Sequence, residues 1–224
     1  MSWIDDDDRD YSDIQSEYEA DLIDKGIAEL PVENIRAYLA QNGDAIQVRV
    51  NRCIDESDSL LAAGHFGAAL VVAVTATEII IRFFVLRPLV QGAFLSDQLA
   101  GLLVKRIVSG SSSKDRELLP KISSHWGIDL ENLALMNGKK LWPTLTKDIW
   151  PLRNAYVHRA DVISREQAAL ALECTRALLA DLVKPIAIKF NLSWPQSGVW
   201  HRTQQGVNGA TTTADYTKSD PFLA

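Results

Sequence analysis

Cysteine is scarce in this chain: Cys53 and Cys174 are the only two in 224 residues, and no paired Cys motif is present. That leaves no basis for a disulfide framework, and both lie in apolar helical patterns where a free thiol behaves as a small hydrophobe. Histidine is also sparse, with four in the chain. His65, His125 and His201 stand far apart, without Cys or carboxylate partners at zinc spacing. A glycine-rich phosphate loop is missing, and so is a Gly-x-Ser-x-Gly elbow, which removes the usual signs of nucleotide hydrolases and serine esterases. Positive charge is in deficit, with 23 Lys and Arg against 29 Asp and Glu, a net charge of −6 and a pI near 5.2. Binding nucleic acid through bulk electrostatics is therefore excluded, and any RNA site must be local. The N-terminus, with Trp3, Ile4 and the run Asp5 to Asp8, lacks the basic start and apolar stretch of a signal peptide, so a cytoplasmic location is expected. The most apolar stretch, Phe66 to Leu95, is interrupted by Glu78, Arg82 and Arg87. Each central charge would cost about 2.5–3.5 kcal/mol in a spanning helix, so this stretch reads as protein core and no membrane partner is expected.

The sequence also lacks alternating strand patterns and internal repeats. What it has is helical periodicity and 47% hydrophobic residues, enough for a full core. Residues 1–30 are rich in Asp and Glu and read as an acidic N-terminal extension. From Asp44 onward, Ile46, Val50, Cys53, Ser57 and Leu61 recur at spacings of three and four, which predicts one amphipathic helix ending at Gly64. His65 to Leu86 predicts a second, more uniformly apolar helix stopped by Pro88, antiparallel to the first across a short link.

Ser96 predicts the N-cap of a helix through Val108, with a loop over Gly110 to Ser113 and another short helix ending near Gly127. Leu141, Leu145, Ile149, Leu152 and Tyr156 share a helical face, with Pro151 expected to kink or restart the helix. Ser164 with Gln167 is a capping box, opening a helix that turns Ala171, Cys174, Leu178 and Leu182 inward and ends near Pro185. Residues 191–224 are polar and read as a disordered C-terminal tail. The expected fold is all-α, an up-and-down bundle over 31–190.

Two features call for a chemical explanation. Thr75, Glu78 and Arg82 form a polar stripe on the apolar second helix. It is either an i,i+4 Glu78–Arg82 ion pair or a carboxylate facing a site. The second feature is the hexapeptide Arg153-Asn154-Ala155-Tyr156-Val157-His158 at a helix boundary.

This hexapeptide resembles the signature of the HEPN (higher eukaryotes and prokaryotes nucleotide-binding) superfamily, an Arg followed by a polar residue and, after four to six intervening residues, a His. The likeness extends to the preceding hairpin, where Ala62 to Leu70 and the downstream Glu78 look like the family's first helix pair with its frequent inward Glu. It covers roughly residues 44–190. The resemblance implies a homodimeric, metal-independent endoribonuclease without a cofactor, used in defence or growth arrest and possessing an antitoxin or regulatory partner. Arg153, Asn154, His158 and Glu78 would form its site. One departure concerns regulation: family toxins restrained by a minimal nucleotidyltransferase carry a Tyr soon after the His, whereas His158 is followed by Arg159, Ala160 and Asp161.

The residue types suit the chemistry. Cleaving RNA through its own 2′-hydroxyl needs a proton acceptor, a proton donor and positive charge at the phosphate. An imidazole titrates near 6.5 in water and a guanidinium fork grips phosphate oxygens. A geometric difficulty remains: five residues of straight helix rotate about 140°, so Arg153 and His158 share a face only if the helix breaks, or else two copies cooperate. Structural alternatives are an Arg153 ion pair with a carboxylate such as Asp161, and His158 closing the helix C-terminus. A catalytically silent HEPN module that binds RNA or a nucleotide and scaffolds a partner, and a plain helical interaction protein, are the competing functions.

Overall fold

The computed structural model describes residues 32–88, 113–193 and 201–202. The acidic extension of 1–30, the expected Ser96–Val108 helix and most of the 191–224 tail lie outside these residues.

The described chain is all-α, with five helices. Helix α1 is Val32–Ala62. Helix α2 comprises Phe66–Ile79 and a π-helical continuation, Ile80–Leu86. Helix α3 is Ser113–His125. Helix α4 runs without interruption through Leu141–Pro143, a π-helical Thr144–Ile149 and Trp150–Arg159. Helix α5 does the same through Arg165–Leu178, a π-helical Leu179–Val183 and Lys184–Lys189. At the edge of the expected tail, β1 (Leu192–Ser193) pairs antiparallel with β2 (His201–Arg202), and Leu192 is buried.

Helix α1 begins twelve residues before the expected Asp44. Its apolar face continues upstream through Ile35, Tyr38 and Leu39, all buried, so packing carries the helix across Asn42 and Gly43 despite glycine's poor helix propensity. The turn at Gly64 has φ of +81°, a conformation that glycine adopts without penalty, and it sends α2 back against α1.

Helix α2 is the centre of the bundle, packed against both α1 and α5. Among the described residues it is the one helix long and apolar enough to cross a membrane, with mean hydropathy 2.2, yet 61% of that stretch is buried inside the fold. Its polar contacts are internal. Thr77 and Thr175 bring their hydroxyls to 2.9 Å, Thr175 also reaches the Ala73 carbonyl at 2.9 Å, and the Ser57 hydroxyl donates to the Ala69 carbonyl at 2.9 Å. These bonds satisfy buried hydroxyls and fix the three helices in register. An Arg176–Asp58 ion pair joins α5 to α1 at the surface.

Of the three prolines expected to stop or interrupt a helix, Pro88 is the last described residue at the end of α2, so the expected stop there lies outside the described residues, and Pro185 comes near the end of α5, at Lys189, as expected. Each π-helical segment stops two residues before a proline, at Leu86, Ile149 and Val183 ahead of Pro88, Pro151 and Pro185. A proline ring collides with the carbonyl four residues earlier, here that of Phe84, Lys147 or Asp181, and each of these lies in a π segment. The wider turn moves that carbonyl aside, so α4 runs on through Pro151, where a kink or restart was anticipated.

Candidate functional site

Helix α4 carries the hexapeptide, and its position is set by close packing. Tyr156 lies against Gly67 of α2, so near that a β-carbon there would meet its Cε2 at 2.1 Å. Ile149 and Leu145 of α4 are fully buried, and Ala155 is nearly so. Trp142 and Trp150 meet edge to face at 5.6 Å, stiffening the helix along its length.

The opposite face of α4 is open. Trp150, Arg153 and Val157 follow one another at i, i+3 and i+7, with Asn154 and His158 on the adjoining ridge. Val157 is 49% exposed, an uncovered apolar side chain at the middle of this face. Asn154 and His158 are exposed, and Arg153 and Trp150 are half-buried.

Arg153 donates from Nη1 to Asn154 Oδ1 at 3.1 Å, which ties the first two residues of the motif together. Its Nε is buried without an acceptor among the described residues, and so is Trp150 Nε1 one turn earlier on the same face. Two neighbouring buried donors without acceptors among the described residues are an uncommon arrangement, costing about 1–3 kcal/mol each. His158 makes no hydrogen bond among the described residues and stands in the last turn, where a cation is favoured by the helix dipole. The helix closes at Ala160, whose φ of 57° is left-handed and whose N–H reaches the Tyr156 carbonyl at 3.0 Å.

The proposed Arg153–Asp161 ion pair is not formed. Asp161 is taken by Arg159, at 2.9 Å from Nη2, and this bond raises the Arg159 pKa. Because Trp150–Arg159 is unbroken, Arg153 and His158 diverge by about 140° around one helix and bracket its exposed face from two sides.

Glu78 forms no hydrogen bond or ion pair with Arg153, Asn154 or His158 among the described residues. It lies eleven positions beyond Gly67 on α2, about 16 Å of helix rise from the point where Tyr156 docks. Glu78 and Arg82 form no ion pair with each other among the described residues, and Thr75 returns its hydroxyl to the Val71 carbonyl at 2.9 Å. The π segment that begins at Ile80 shifts Arg82 off the register that the stripe assumed.

Sequence reasoning missed Trp150 as a member of this face, although its i, i+3, i+7 spacing with Arg153 and Val157 was the available signal. Among the described residues no three His, Cys, Asp or Glu side chains gather as metal ligands. Both thiols are poor nucleophiles: burial pushes Cys53 up and Cys174 up to about 12. No protein family, curated protein or solved structure matches this chain.

Proposed function

We propose that this chain is a homodimeric endoribonuclease of the HEPN type, in which the open faces of two α4 helices meet. One observation carries the reading. A single unbroken helix holds Arg153 and His158 on opposite flanks of an exposed face, with the buried Arg153 Nε lacking an acceptor. Within one subunit these groups diverge. Across a two-fold axis passing near Val157, the guanidinium of one copy faces the imidazole of the other. Trp150 and Val157 supply the aromatic and apolar contact that such a seam needs, and the cleft concentrates positive charge on an otherwise acidic protein.

In that cleft an imidazole removes the proton from the ribose 2′-hydroxyl and the oxygen attacks the adjacent phosphorus. The 5′-oxygen leaves with a proton supplied by solvent water, giving a cyclic phosphate and a 5′-hydroxyl end, while the imidazolium returns its proton to solvent. Arg153 grips the phosphate oxygens as charge builds, and Asn154 holds the guanidinium in place. The resemblance in the hexapeptide supports a cytoplasmic role in defence or growth arrest with a partner that restrains the enzyme.

The test is incubation of the pure protein with RNA in EDTA. Cleavage that falls at least a hundredfold in His158→Ala is the expected result. Absence of cleavage, or cleavage indifferent to His158, rejects the reading. A second reading is favoured by the lack of any hydrogen bond orienting His158 among the described residues: a silent HEPN module that dimerises, binds RNA or a nucleotide, and scaffolds a partner. Specific RNA binding without turnover selects it.

A further inference from the structure

The other flank of α4 borders a groove of about 510 Å³, a volume typical of small-ligand sites. Leu152 and Ala155 of α4 and Leu170 of α5 give it an apolar floor, while Lys139 and Lys147 stand at its rim. Neither lysine has a carboxylate within 4 Å among the described residues. Asp161, which also lines the groove, is already neutralised by Arg159, leaving Asp148 as the one opposing charge among the lining residues. The ridge Pro151–Ala155–Arg159 forms one wall, and His158 lies only about 60° of helix rotation from Ala155. The groove therefore lies on the His158 side of α4, although His158 itself does not line it.

We infer that this groove seats one nucleotide of a single-stranded RNA beside the position to be cut, its base on the apolar floor and its phosphates against Lys139 and Lys147. The assignment rests on the ribonuclease reading for its substrate and on the groove itself for its chemistry. Flat apolar surface flanked by cations without internal partners suits a nucleobase joined to a phosphate, because the base loses little on leaving water and the lysines gain an anion. On a protein of net charge −6, such a local pair of lysines is where a polyanion can approach.

The probe is a fluorescein-labelled oligoribonucleotide carrying 2′-O-methyl groups throughout, which cannot be cleaved, followed by fluorescence anisotropy over a range of salt. The double variant Lys139→Ala/Lys147→Ala should bind about tenfold more weakly. Its log K against log salt slope should fall by about 1.4, the loss of two single-strand phosphate contacts. Lys139→Arg/Lys147→Arg should recover most of the affinity, and thermal melts matching wild type exclude misfolding. Wild-type protein that ignores the probe, or a double variant with unchanged affinity and slope, overturns the assignment. Cleavage of unmodified RNA that depends on His158 but not on the lysines removes the groove and leaves the ribonuclease. Lysine-dependent binding without cleavage keeps the groove and removes the ribonuclease.

Discussion

Gly67 and Tyr156 are in direct contact, the tyrosine ring occupying the space that any β-carbon at Gly67 would need. This contact fixes the last turns of α4 on α2, and therefore sets the direction in which Arg153 and His158 leave the bundle.

Substituting Gly67 tests that coupling. A helical alanine alone would add about 1 kcal/mol of stability, but overpacking against the ring costs roughly 1–3 kcal/mol and must displace Tyr156. Gly67→Ala should lower the melting temperature by several degrees and reduce any RNA cleavage. The double variant Gly67→Ala/Tyr156→Ala should cost less than the sum of the single variants, as expected for residues in contact.

Glu78 should be dispensable for cleavage. It stands about 16 Å along α2 from the Tyr156 docking point and is half-buried two residues before the π segment. Glu78→Gln should leave kcat/KM within about threefold of wild type, whereas a fall of a hundredfold or more would assign it to the reacting centre.

Much of this was legible in the sequence, and the failures have identifiable causes. The Gly64 turn, the inward Ser57 and the Ser164–Gln167 capping box all follow from local chemistry, and Ser164 Oγ accepts from the Gln167 N–H at 3.3 Å as that motif requires. The first turns of α1 were hidden because they precede the apolar repeat that begins at Ile46, and the burial of Ile35 and Leu39 is what holds them helical. Pro151 misled for a related reason: a ring clash predicts a kink or restart, but a π turn placed over the affected carbonyl absorbs it, and no composition signal announces that turn. At the site, the hexapeptide and its 140° problem were visible. Its neighbours Trp150 and the Lys139–Lys147 groove became visible only when α4 was seen with one buried and one open face.

The thiols offer a pH-dependent check on the core. Cys174 has its pKa raised from 9.0 to about 12, first by burial and then by Glu173. A raised folded-state value means that the protonated form is favoured on folding. Its contribution is thus complete below pH 9 and is lost as pH climbs towards 12. Iodoacetamide at pH 8 should leave Cys174 unmodified in the native protein and alkylate it after unfolding. Urea midpoints should decline above pH 9 more steeply for wild type than for Cys174→Ala.

Mixing two inactive variants tests the central claim most directly, because Arg153→Ala and His158→Ala each remove one half of a site that the unbroken α4 cannot assemble alone. Co-expressed dimers that contain one of each retain one intact Arg153 and one intact His158 on opposite subunits, and therefore one complete cross-subunit site. RNA cleavage should return to about a quarter of the wild-type rate, since half the dimers are mixed and each has one of two sites. Co-expressed variants that form mixed dimers and remain as inactive as either parent would contradict the account.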